Sequence, residues 1–130
     1  MPVTKTVKTL VAEAKEQTNS INPADAHDRQ QAGDAILIDI RDIRELQRDG
    51  CIEGAFHAPR GMLEFWADPD SPYHKEIFAT EGELVLFCPS SWRSALAAKA
   101  LQDMGLSNIR DMEGGFTAWK TAGLPIIIED

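Results

Sequence analysis

Two short apolar runs rich in β-branched side chains, residues 35–40 and 84–87, restrict the fold more than anything else in this 130-residue chain. Ala35-Ile36-Leu37-Ile38-Asp39-Ile40 and Leu84-Val85-Leu86-Phe87 have the near-continuous apolar character of strands buried on both faces of a parallel sheet. Helical patterns lie between and around them. Residues 7–17 carry Val7, Leu10, Val11 and Ala14 on one stripe, and Asn22-Pro23 opens a second helix over 24–31. A short helix over 42–49 is closed by Gly50, an alanine-rich helix over 92–104 by Gly105, and a last helix spans 115–122. Residues 108–112 read as another strand and 52–57 as a turn leading into an edge segment. Residues 60–80, with Gly61, Pro69 and Pro72, read as a long loop with a helical turn or two. Strands alternating with helices predict an α/β fold, a doubly wound and mainly parallel sheet. In such sheets sites form outside the C-terminal ends of the strands.

At this length the chain fits a single domain whose core needs no disulfide staples, and neither a repeat nor a linker interrupts it. With 43% hydrophobic residues and no long apolar run, neither disorder nor a membrane span is expected. Met1-Pro2-Val3-Thr4-Lys5 has no apolar signal-peptide core, and two cysteines do not suggest an oxidised scaffold. The expected setting is the reduced cytoplasm. A net charge of −8 disfavours nucleic acid or an acidic membrane as partner. Residues 84–110 run against that trend, with Arg93, Lys99 and Arg110 facing only Asp103, so a small anionic substrate remains compatible.

Cys88 ends the second apolar run and opens Cys88-Pro89-Ser90-Ser91-Trp92-Arg93-Ser94, directly before the alanine-rich helix. That places a thiol at a strand tip and under a helix start. The first helical turn has unpaired N–H groups and about half a positive elementary charge, so a thiolate is stabilised there. An ordinary cysteine is only about 3% thiolate at pH 7, so such a setting matters to a nucleophile. Arg93 adds a permanent cation to the same loop. A free cysteine is also a common small core residue, but the polar loop argues against that reading here.

Four separated segments together resemble the rhodanese family of sulfurtransferases, in particular its single-domain members. They are Asp39-Ile40-Arg41 with Glu45; Gly50-Cys51-Ile52-Glu53-Gly54-Ala55-Phe56-His57-Ala58-Pro59; the 88–94 loop; and Gly114-Gly115-Phe116 with Trp119, Gly123 and Pro125. The resemblance covers residues 21–125 as a core, with 1–20 as an N-terminal helical extension of one domain spanning 1–130. It implies a sheet of about five strands flanked by helices on both faces. It also implies a cysteine that carries a persulfide sulfur from a donor to a thiophilic acceptor.

On that resemblance Cys88 is the catalytic nucleophile, and Pro89, Ser90, Ser91, Trp92, Arg93 and Ser94 form the substrate cradle. The donor is a small anion such as thiosulfate, or a persulfide. The acceptor is cyanide, a thiol or a protein cysteine. Pro89 contributes no N–H. Ser91 stands where many relatives have glycine, which predicts local strain if the position needs a positive φ. Four residues separate Cys88 from Arg93, and related protein phosphatases use a loop one residue longer. The short loop favours sulfur over a tetrahedral phosphate. Arsenate or phosphate-ester chemistry is thereby disfavoured, while a sulfur-relay or protein-interaction module with little small-molecule turnover stays open.

Asp39 and Arg41 are expected as an ion pair supporting the site, because an unpaired charge at a strand end is costly. His57 is expected to make a structural hydrogen bond rather than act as a base. Arg60, with Phe65, Trp66 and Tyr73, either lines the substrate entrance or is an ordinary solvated arginine beside packed aromatics. Trp92 forms an apolar wall of the pocket or covers the first turn of its helix. Cys51 reads as incidental or structural rather than as a resolving thiol. His27 and His74 have no metal-ligand spacing with Cys51 or Cys88, and neither metal nor cofactor is expected.

Overall fold

The structure is a computed structural model that describes residues 2–128; Met1, Glu129 and Asp130 lie outside the described residues. In chain order the elements are α1 (Val7–Gln17), β1 (Asn19–Ile21), α2 (Pro23–Gln31), β2 (Ala35–Asp39), α3 (Ile43–Asp49), β3 (Phe56–His57), α4 (Leu63–Ala67), β4 (Glu83–Phe87), α5 (Trp92–Asp103), β5 (Ile109–Met112) and α6 (Gly115–Thr121). Single 3₁₀ turns at Arg60–Met62 and Glu76–Ala79 supply the helical turns expected in the 60–80 loop.

The strands pair throughout in parallel, in the spatial order β1-β5-β4-β2-β3. From β2 the chain runs outward to β3, then returns to β4 and continues to β5. The order therefore reverses between β2 and β4, the point where such sheets open a crevice at their C-terminal ends. Asp39 ends β2 and Cys88 follows β4 at that crevice. β3, at one edge, has only two residues. β1 lies where no strand is expected from the sequence, between the first two helices.

Burial explains why the two apolar runs must be central. In β4, Leu84 and Leu86 face one side with Ile38, Leu63, Ala97, Ala98 and Leu101, while Val85 and Phe87 face the other with Leu37, Ala26, Phe116 and Trp119. Both faces of the strand are dry, so its sequence shows no polar alternation. α4 and α5 cover the first face, and α2 and α6 the second. α1 lies over α5 through Val11, Ala14 and Ala95. Local signals set the helix starts. Thr6 and Asn22 cap α1 and α2, Pro23 takes the first turn of α2, and Asp42 with Glu45 forms a reciprocal capping box on α3. No helix among the described residues is long and apolar enough to cross a membrane.

Candidate active site

Cys88 leaves the apolar strand β4 as its last dry position, with 1% of its surface exposed. The N–H of Ser94 donates to its Sγ at 3.4 Å, and Ser94 Oγ lies 3.5 Å from the same sulfur. Both contacts come from the first turn of α5, the twelve-residue helix that starts at Trp92. The thiol is thus held under a helix start with the Ser94 N–H directed at its sulfur, the arrangement that favours a sulfur anion.

Ser91, the N-cap of α5, has φ −155° and ψ 18°, and no described non-glycine residue has a positive φ. The positive-φ strain expected at Ser91 is therefore absent, because its φ is negative and lies outside the left-handed region. Its hydroxyl instead accepts a 2.6 Å hydrogen bond from Lys15 Nζ on α1.

The shape of the loop is set from the far side, by the Gly114-Gly115-Phe116 segment. The N–H of Phe116 donates to the Cys88 carbonyl at 2.8 Å, and that of Thr117 to the Pro89 carbonyl at 3.0 Å. These are orphan donors at the start of α6, and they hold two loop carbonyls on the side opposite the thiol's helix donors. Gly115, at φ +58°, sits so close that a Cβ there would lie 2.1 Å from the Cys88 carbonyl oxygen and 2.0 Å from that of Ser90. Only glycine fits that approach.

Charged side chains brace the same end of the sheet. Arg93 binds Glu45 through two parallel hydrogen bonds of 2.9 and 2.8 Å. Glu45 also closes the α3 capping box by accepting from the Asp42 N–H, and the Arg93 guanidinium holds its carboxyl below the usual range. One carboxylate therefore ties α3 to the 88–94 loop. Asp39 and Arg41, each 1% exposed, form a buried pair with bonds of 3.0 and 2.8 Å, and Arg41 adds a bond to the Gly50 carbonyl. The Arg41 guanidinium also stacks 4.1 Å over Phe116, so the pair underpins the start of α6. His57 Nε2 lies 2.7 Å from the Arg41 carbonyl oxygen, a structural contact.

Arg60 follows β3 toward the same end and pairs with Glu64 at 2.6 Å. Trp66 packs edge-on against Phe56, whereas Phe65 and Tyr73 are exposed. Trp92 is 47% exposed at the start of α5, so half of its indole faces solvent. Cys51 makes a backbone bridge to Ile127, and neither cysteine is in a disulfide. His27 stacks edge-on against Trp119.

A sequence model of the rhodanese-like domain matches residues 22–122, most of the chain, including Asp39, Arg41, Glu45, the 88–94 loop, Asp111 and Gly114-Gly115-Phe116. The chain belongs to the rhodanese-like domain family. A solved protein of unknown function from Rhodopseudomonas palustris, described as a possible tyrosine phosphatase, is 46% identical, with 98% of each chain covered and a TM-score of 0.93. The polysulfide-sulfur transferase homodimer of Wolinella succinogenes is 33% identical over 95% of this chain and 88% of its own, with a TM-score of 0.72. Chloroplastic thiosulfate sulfurtransferase 16 of Arabidopsis thaliana is 30% identical over 88% of this chain and 98% of its own.

Two side chains of this rhodanese-like site escape sequence reasoning. Asp111, 2% exposed on β5, accepts a hydrogen bond from the Ser94 hydroxyl, and Lys15 reaches Ser91 from α1. An acidic residue inside a short buried strand was the available signal for Asp111. Nothing in the sequence marks Lys15. A cavity of about 170 Å³, lined by Lys15, Thr18, Ser20, Ser91, Asp111 and Glu113, opens beside them. A larger cavity of about 570 Å³, lined by residues including His27, Ala35 and Trp119, touches none of the active loop.

Proposed function

We propose that this chain is a sulfurtransferase that takes a sulfane sulfur from thiosulfate or a persulfide donor onto Cys88 and yields it to cyanide or a thiol. The observation that carries this reading is the buried Cys88 sulfur under the start of α5, reached by the Ser94 N–H at 3.4 Å within a six-residue loop that ends at Arg93. A loop of that length suits one extra sulfur atom better than the three equatorial oxygens of a phosphoryl group.

In the first half-reaction the Cys88 thiolate attacks the outer sulfur of thiosulfate. A new S–S bond forms, the bond to the sulfonate sulfur breaks, and sulfite leaves with its electron pair. The Cys88 persulfide retains the single negative charge. Backbone N–H groups of Ser90, Ser91, Trp92, Arg93 and Ser94 surround that terminal sulfur, with Pro89 supplying none. In the second half-reaction cyanide or a thiolate takes the outer sulfur, and Cys88 thiolate is released. Arg60 is engaged by Glu64 and is assigned no part in donor binding. Asp39, Arg41 and His57 hold the floor of the site and touch no substrate.

Exposure of Trp92 in the loop that follows Cys88 favours a protein cysteine as one class of acceptor, since a half-solvated indole is a typical contact residue. On that reading Trp92→Ala slows sulfur delivery to a protein thiol while leaving delivery to cyanide unchanged.

Intact-mass measurement after thiosulfate treatment tests the central reading. The expected result is a gain of one sulfur atom, discharged by cyanide and missing in Cys88→Ser. Phosphatase turnover without any persulfide on Cys88 would overturn it.

A further inference from the structure

The thiol has a second set of polar neighbours that sulfur transfer does not use. Asp111 lies on β5 between Arg110 and Met112 and is 2% exposed, next to β4 in the centre of the sheet. Its Oδ1 accepts the Ser94 hydroxyl, and Ser94 Oγ is in turn placed to accept the S–H of Cys88 at 3.5 Å. One hydroxyl therefore touches both ionisable groups, and it has a single proton to give. With Asp111 ionised, Ser94 donates to the carboxylate and turns a lone pair to the sulfur, which suits a thiol. With Asp111 protonated, the carboxyl donates to Ser94 and the hydroxyl proton turns to the sulfur, which suits a thiolate.

The groups around the carboxyl act in both directions. Lys15 from α1 favours its ionised form, and Glu113, just after β5, opposes it. Arg93 on α5 is directed to Glu45 and acts on the Cys88 end. Burial outweighs the rest and pushes the Asp111 carboxyl up to about 6. The cavity at Lys15, Ser20, Asp111 and Glu113 gives that carboxyl an outlet for protons.

We propose that Asp111 is a positioning residue that stores, through Ser94, the proton that Cys88 surrenders, so that thiol and carboxyl share one proton across a single hydroxyl. The proposal rests on Cys88 being the nucleophile of the sulfur transfer described above. As the S–H bond breaks, its proton passes to Ser94 Oγ, while the original Ser94 proton passes to Asp111 Oδ1. The sulfur keeps the electron pair, the hydroxyl is regenerated, and total charge is unchanged.

Alkylation of Cys88 by iodoacetamide, followed on its own peptide by mass spectrometry, reads this directly and needs no sulfur donor. The natural chain is expected to show two inflections in rate against pH, the lower near 6. Asp111→Asn is expected to show one, and to alkylate several-fold faster near neutral pH because no competing carboxylate remains. A purely structural Asp111 instead lowers the rate by one factor at every pH and leaves the shape intact, which overturns the proposal. ¹³C NMR of the Asp111 carboxyl supplies a second test without altering that residue. Two titration steps in the natural chain and one in Cys88→Ala support the shared proton, and one step in both refutes it. Failure of either test leaves persulfide formation on Cys88 untouched. Absence of a persulfide leaves the paired titration untouched.

Discussion

Replacing Gly115 with alanine puts a methyl group where the active loop already has its own carbonyls. The added Cβ would lie 2.0 Å from the Ser90 oxygen and 2.1 Å from the Cys88 oxygen, both backbone atoms with no side-chain freedom to yield. The loop must then retreat by about 1.5 Å to reach an ordinary contact. That retreat stretches the 2.8 Å bond from Phe116 N–H to Cys88 and the 3.0 Å bond from Thr117 N–H to Pro89. Each bond contributes about 1 kcal/mol net, and a Cβ at positive φ costs about another 1 kcal/mol. The expected loss is about 3 kcal/mol. Gly123→Ala is the matched comparison, because Gly123 also has a positive φ, +75°, but nothing within 4 Å of its would-be Cβ. It is expected to lose only the backbone share, about 1 kcal/mol. In urea, with m of roughly 1–3 kcal/mol/M, the difference of about 2 kcal/mol separates the two midpoints by about 1 M. A displacement of this size at the nucleophile is expected to lower persulfide formation about a hundredfold in Gly115→Ala and not in Gly123→Ala. Equal urea midpoints for the two variants, with Cys88 equally reactive in both, would refute the claim that α6 shapes the loop.

Asp39→Asn leaves the buried Arg41 guanidinium without its counter-charge and is expected to cost about 3–5 kcal/mol, read as a drop in the urea midpoint. Glu45→Gln removes the charged acceptor of Arg93, which is 44% exposed, so stability falls by only about 0.5–1 kcal/mol. Persulfide formation in the same variant is expected to slow several-fold, measured by stopped-time mass spectrometry. The Asp111 carboxyl is raised from 3.8 to about 6, so the folded state binds this proton more tightly than the unfolded chain. Stability from this group is therefore full below the unfolded value and declines as pH rises toward about 6. Asp111→Asn is expected to match the natural chain near about pH 4 and to exceed it by up to about 3 kcal/mol near about pH 8, by denaturation at the two pH values.

Strands β2 and β4 were legible because both faces are buried, which leaves an unbroken apolar signature over residues 35–39 and 84–87. Helix ends were legible from local chemistry at Asn22-Pro23, Asp42, Gly50 and Gly105. β1 was not, since Asn19, Ser20 and Ile21 carry no periodic pattern and become a strand only by pairing with Arg110, Asp111 and Met112. Its existence is a tertiary fact. The position of Cys88 followed from the strand-to-helix junction alone. The contacts that shape its surroundings did not, because Arg93 meets Glu45 and Ser91 meets Lys15 across long stretches of chain. The strain expected at Ser91 failed for a related reason. Gly114 and Gly115 take positive φ values beside the loop, and Ser91 keeps a negative φ. The double-glycine segment was visible, but its role as the surface that receives the loop carbonyls needed the packed sheet.

The family match starts at residue 22, after both α1 and β1. Trimming the chain to that match strips the outer edge of β5, where Asn19–Ile21 pairs in register. A bare parallel edge is a template for another copy of the same sheet. The cut also bares Ala95, which Val11 and Ala14 cover, and removes the lysine that steadies Ser91. A trimmed chain is therefore expected to self-associate before it reports anything about sulfur chemistry. Size-exclusion behaviour has to be read first, or loss of soluble protein will be mistaken for loss of a catalytic group.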